Sequence, residues 1–105
     1  MNQLTVHKGR TINVPVSLGF DVAADVISSQ IRAARTQDSQ LIATWTVTFV
    51  TDGSDGKLIF SLDNSVTSTI QAQVGYMDIK RLSGGEPLSV IDSPIEVVFK
   101  EIVTA

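Results

Sequence analysis

Leu41-Ile42-Ala43-Thr44-Trp45-Thr46-Val47-Thr48-Phe49-Val50 is the stretch that decides the fold. Leu41, Ala43, Trp45, Val47 and Phe49 fall on one face of an extended chain, and Thr44, Thr46 and Thr48 fall on the other. Unbroken period-two alternation of this kind marks a half-buried strand, and β-branched threonines suit its wet side. Burying Trp45 and Phe49 contributes several kcal/mol, at roughly 25 cal/mol per Å² over about 150–250 Å² for each aromatic. This is the core strand, and the rest of the chain has to supply its partners.

Immediately after it, Asp52-Gly53-Ser54-Asp55-Gly56 is rich in residues that tolerate a tight turn. Residues 57–62 then alternate again with Leu58, Phe60 and Leu62 inward, so the two runs predict a β-hairpin. Asp63-Asn64-Ser65 offers side-chain oxygens to orphan amides and predicts one short helical turn near 64–70. Beyond it, residues 74–82 and 88–91 read as strands about a Gly84-Gly85 turn. Residues 95–103 close the domain with Ile95, Val97 and Phe99 inward, leaving Val98 and Ile102 on the other side.

Upstream, residues 4–7 form a short strand. Residues 10–18 form a longer one with Ile12, Val14, Val16 and Leu18 on its apolar face. Pro15 cannot donate to a ladder, so this strand belongs at an edge or carries a bulge. Residues 26–35 fit either period, with Ile27, Ile31 and Ala34 at helical spacing; they are assigned to a strand. Thr36 to Ser39 is a turn. About eight short strands with regular turn signals predict an all-β antiparallel sandwich in a single domain, residues 1–105.

Composition narrows the function. A chain of 105 residues has room for one core. It carries no cysteine, which removes disulfides, thiolate metal sites and thiol catalysis. A net charge of −3 and a pI near 4.8 argue against nucleic acid, which calls for a concentrated basic face. No apolar run reaches the roughly 18 residues that a membrane span needs. Met1-Asn2-Gln3-Leu4 lacks the charged and apolar regions of a secretory signal, so folding in the cytoplasm is expected.

Catalytic constellations are hard to assemble from these residues. His7, the sole histidine, lies in a strand beside Lys8 with no nucleophile or acid indicated near it. Counted from Asp52 as a calcium loop, position 5 is Gly56, position 6 is Lys57 and position 12 is Asp63, which breaks the pattern twice. Paired carboxylates among the eleven acids are read as solvated surface groups. Gly84-Gly85 lacks the Lys-Ser/Thr of a phosphate loop and opens no helix. Trp45, Phe49 and Phe60 sit on apolar faces, so core packing outweighs stacking on a ligand. Tyr76 is the open case, sharing a face with Val74, Asp78 and Lys80. No cofactor or metal is implied.

The order of these segments resembles a known pattern. An Ile/Val strand (11–18) leads to Ile31-Arg32, then to Gly56-Lys57-Leu58-Ile59-Phe60-Ser61-Leu62 and a Ser/Thr-rich turn. Gly75-Tyr76-Met77-Asp78-Ile79-Lys80, a Gly-Gly turn and an Ile95-Glu96-Val97-Val98 strand ending Val103-Thr104 complete it. This resembles the small immunoglobulin-like β-sandwich domain of tailed-bacteriophage virion proteins, such as that at the N-terminus of baseplate upper proteins. The family commonly has a second aromatic where Met77 stands, and a Gly where Ser93-Pro94 stands.

The resemblance implies a non-enzymatic structural protein of the virion, at the tail, baseplate or neck or as a capsid decoration. It would act by assembly with itself and other virion subunits, in a symmetric oligomer or on a lattice. Nucleic acid and membrane are not expected partners. Tyr76, Val98, Ile102 and Val6, left over by the predicted core, are the candidate interface residues. A carbohydrate- or surface-binding sandwich is the alternative, with an enzyme subunit or inhibitor domain a weaker one.

Overall fold

The computed structural model describes residues 3–90 and 94–103; the expectations that fall on Ile91, Ser93 and Thr104 lie outside the described residues. Strands appear at every alternating run. In chain order they are β1 (Gln3–His7), β2 (Ile12–Ser17), β3 (Val26–Ser28), β4 (Gln30–Arg32), β5 (Leu41–Thr44), β6 (Thr46–Phe49) and β7 (Lys57–Leu62). A helical turn, α1 (Asn64–Thr67), precedes β8 (Val74–Met77), β9 (Lys80–Ser83), β10 (Glu86–Ser89) and β11 (Ile95–Lys100). Among the described residues eleven strands replace the eight expected, because the runs 26–35, 41–50 and 74–82 each break in the middle.

Those breaks are corners. β4, β5 and β8 belong to a five-stranded sheet of order β1-β11-β8-β4-β5. Their continuations leave it: β3 and β9 join β10 in one three-stranded sheet, and β6 joins β7 and β2 in another. Strands that switch sheets at a bend are one way a sandwich makes its corners. The buried side chains of all three sheets, among them Val6, Ile31, Trp45, Phe60, Met77 and Val97, form one cluster. The fold is an all-β sandwich. Its ladders are antiparallel except one: β1 pairs with β11 in parallel.

The three corners are tied at Ser29, which is 3% exposed. Its carbonyl accepts from the Trp45 amide at 3.0 Å, and its hydroxyl donates to the Asp78 carbonyl. A bend interrupts the ladder and leaves main-chain groups to be paired by something else; here one serine pairs with both neighbouring bends. Trp45 fills the corner, 4% exposed, its ring 6.1 Å from Phe60 and tilted by 55°. The indole N–H finds no partner among the described residues, so Trp45 serves here by volume.

Several expectations hold in detail. Leu58, Phe60 and Leu62 of β7 are all buried, and β6 and β7 form the hairpin. β2, with Pro15, is an edge strand paired, among the described residues, to β7 alone. Asp63 caps α1 as its side chain accepts from the Ser65 amide at 3.1 Å. The buried Thr67 hydroxyl then donates to the Arg10 carbonyl at 2.8 Å, docking the helical turn under the first loop.

Leu41 departs from expectation. Alternation puts it inward with Ala43, but it is 45% exposed. The register pairs Ile31 with Ala43 and Arg32 with Leu41, so Ile42 is an extra residue in β5. A bulge breaks the alternation, and Ile42 packs on the core instead.

Gly75 is dictated by space. A Cβ there would lie 2.7 Å from Ile31 Cγ2 and 3.0 Å from Ile42 Cδ1, which only the absence of a side chain relieves. Two substitutions test this frame by urea unfolding, followed through the sole tryptophan. Ser29→Ala is expected to cost about 0.5–1.5 kcal/mol by removing the partly buried hydrogen bond to the Asp78 carbonyl, and Gly75→Ala about 1–3 kcal/mol by overpacking. Ser28→Ala, on the exposed side of the same bend, should stay within about 0.5 kcal/mol.

Candidate interaction surface

Cross-strand partners share a face, so the registers fix what each sheet presents outward. On the five-stranded sheet, Gln3 lies opposite Glu96, Glu96 opposite Tyr76, and Tyr76 opposite Arg32. Gln3 donates from Nε2 to Glu96 Oε1 at 2.8 Å. Arg32 is held by the Ser39 carbonyl and by Gln30 Oε1, both at 2.8 Å. The Arg35 guanidinium stands 4.9 Å from the centre of the Tyr76 ring, a cation–π contact worth about 0.5–1 kcal/mol where solvent reaches it.

Tyr76 lines an open groove of about 710 Å³ at the corner between the sheets, with Arg35, Asp78, Lys80, Leu88 and Pro94 among its walls. The groove carries both signs of charge and an aromatic ring already engaged by Arg35. That arrangement suits contact with a polar surface better than capture of one charged ligand.

One register step away, Val98 lies between Thr5 and Val74, and Val74 is 40% exposed. Val98 is half-buried. Ile102 lies past the end of β11, with Cδ1 3.4 Å from where a Cβ on Gly9 would sit. It covers the first turn beside the Lys8–Glu101 ion pair of 3.0 Å. The structure therefore brings Tyr76 and Val98 to one face and sets Ile102 at its end.

Val6 is corrected. It is 0% exposed, because the parallel pairing of β1 puts it opposite Phe99 on the inward side. It belongs to the core. Leu4 packs there too, so the surplus apolar surface expected at the N-terminus is absorbed by the sandwich.

The three-stranded sheet of β3, β9 and β10 supplies a face that sequence reasoning missed. Val26 lies opposite Leu82, and Leu82 opposite Pro87. Val26 is 61% exposed while its neighbour Ile27 is buried. A signal was available: Val26 and Ile27 are adjacent and apolar, and in a strand only one of them can face the core.

No protein-family profile matches the chain, and no curated protein matches it. No helix among the described residues is long and apolar enough to cross a membrane.

Charged groups fasten the loops. Arg81 Nε donates to Asp25 Oδ2 at 2.6 Å, with its guanidinium 4.8 Å from the centre of the Phe20 ring. The Arg81 hydrogen bond, and after it one from Ser83, holds the Asp25 carboxyl below its ordinary 3.8. In the turn that invited a calcium reading, Asp52 Oδ1 accepts from the Ser54 hydroxyl at 2.6 Å and its amide at 2.9 Å. Asp55 Oδ1 accepts from the Lys57 amide at 3.0 Å. These carboxylates hold their own backbone in the hairpin turn. The Ser54 hydroxyl and amide lower Asp52, and those of Ser65 lower Asp63.

All three aspartates have folded values depressed relative to the unfolded chain. Their contribution is complete above the ordinary 3.8 and is lost as pH falls through the lower folded values. Urea midpoints should therefore drop below about pH 4. Asp25→Asn should lower the midpoint at neutral pH and shrink the acid-induced fall. An unchanged acid profile in that variant would show that the Arg81 pair contributes nothing to it.

Proposed function

We propose that the protein is a non-enzymatic assembly module, a structural subunit of a tailed-phage virion at the tail, baseplate, neck or capsid surface. The observation that carries the assembly reading is the outward row Val26–Leu82–Pro87, apolar across all three strands of one sheet. Isolated exposed apolar residues need no explanation, but contiguous ones mark contact surfaces. The virion assignment draws on the resemblance of the strand order, and of the segment from Gly75 to Lys80, to phage sandwich domains. In an array of identical sites, many weak contacts through such a face sum to firm attachment.

A second reading, a carbohydrate- or surface-binding module, is favoured by the groove at Tyr76. Arg35 on the ring counts against sugar stacking there, and binding of the isolated protein to a glycan array would restore it.

The direct test is mass spectrometry of density-purified phage particles from the source cells, alongside binding of the recombinant protein to those particles. The chain is expected in the particles at the abundance of a repeated structural subunit. Val26→Lys should weaken rebinding about tenfold or more with an unfolding free energy within about 0.5 kcal/mol of wild type, as for a surface site. Particles that lack the chain overturn the virion assignment.

A further inference from the structure

A sheet edge left open is a template for another strand, and proteins guard such edges with proline, charge or a bulge. The edges of this sandwich can be compared one by one. β2 carries Pro15, and β10 carries Pro87 together with Glu86. β5 is bulged at Ile42. β3 (Val26–Ser28) and β6 (Thr46–Phe49) are only three and four residues long, too short to offer much of a template, and they diverge from the Trp45–Ser29 hydrogen bond. β1 is different. Gln3-Leu4-Thr5-Val6-His7 has no proline, Lys, Arg, Asp or Glu, its ladder with β11 shows no register shift, and among the described residues it is paired on one side only.

The direction of its main chain follows from one bond. Lys8 N donates to the Lys100 carbonyl at 2.9 Å, and in a parallel ladder alternate residues turn their amide and carbonyl to the same side. Leu4, Val6 and Lys8 therefore face β11, and Gln3, Thr5 and His7 turn theirs to the open side. The His7 carbonyl is taken by the Arg10 amide at 3.2 Å. Thr5 is the centre of what remains.

We infer that β1 pairs antiparallel with β1 of a second copy about a twofold axis at Thr5. Self-pairing constrains charge, because a residue near a twofold axis meets itself and a like charge there repels. In this register Thr5 exchanges both main-chain hydrogen bonds with its mate, and Gln3 lies across from His7. No Lys, Arg, Asp or Glu of the strand comes near the axis, and the strand's one basic side chain, His7, faces the neutral Gln3 of the mate. The outward row Val74–Val98–Thr5 would continue across the axis into the same row of the partner, joining two five-stranded sheets into one.

This inference names a partner for the assembly reading above and rests on it only for its purpose, so the two can fail separately. The test is sedimentation equilibrium of wild type, Thr5→Lys and Thr5→Pro over a wide concentration range. Thr5→Pro removes an amide that faces the open edge, leaving the β11 ladder bonds in place. Thr5→Lys sets like charges across the axis in a strand that tolerates the side chain. Wild type is expected to be dimeric, with a thermal midpoint that rises with concentration. Both variants are expected to dissociate at least about tenfold more readily with an unchanged far-UV circular dichroism spectrum. Should Thr5→Pro not fold, Thr5→Lys alone decides. Wild type that stays monomeric at high concentration, or a dimer indifferent to Thr5→Lys, overturns the pairing whatever the particles contain. A Thr5-dependent dimer upholds it even if the particles lack the chain.

Discussion

Ser29 is the constraint on which this sandwich turns. Three strands have to bend near the same level, and each bend takes main-chain groups out of the ladder. Leaving one buried and unpaired would cost about 1–3 kcal/mol, a large share of the roughly 5–15 kcal/mol that holds a small domain folded. A single buried serine meets two of those needs, with its carbonyl toward Trp45 and its hydroxyl toward Asp78. Trp45 then occupies the corner by volume. The consequence is economy of chain: the runs 26–35, 41–50 and 74–82 each serve two sheets, so the described residues enclose one core with eleven short strands.

The bends also explain which parts of the fold could be read from sequence. Period-two alternation reports the face on which a side chain lies and says nothing about the sheet to which the strand belongs. Trp45 and Val47 keep their inward pattern through the corner, so one continuous strand was the natural reading of a run that changes sheet. β7 and the Asp63 cap were legible because their signals are local. The bulge at Ile42 was not, since nothing in an apolar pair such as Leu41-Ile42 says which member is the extra one.

The same limit governed the candidate residues. Tyr76 and Val98 lie on the outward face, as alternation predicts, because Tyr76 precedes the bend of its run and β11 alternates without a break. Val6 did not, because the parallel pairing of β1 with β11 is a long-range choice that alternation cannot see. Ser29 and Thr67 are the clearest omissions. A hydroxyl that disappears into a buried bond to a distant carbonyl looks, in sequence, like any solvated serine or threonine of a β-rich chain. Composition gave no help, since such residues are plentiful here.

The placement of the outward features has a further implication. The β1 edge and the Val74–Val98 row belong to the five-stranded sheet, whereas the Val26–Leu82–Pro87 row belongs to the three-stranded sheet of β3, β9 and β10. Use of the first leaves the second uncovered. A twofold pair joined through β1 would therefore carry two copies of the Val26 row, one on each protomer, and would meet a lattice bivalently. Linking two weak contacts in one body raises attachment well beyond either alone, provided that the lattice spacing matches the separation of the rows. In such a pair the edge and the row would divide the work: one would fix the geometry of the unit, and the other would read the spacing of whatever the unit binds.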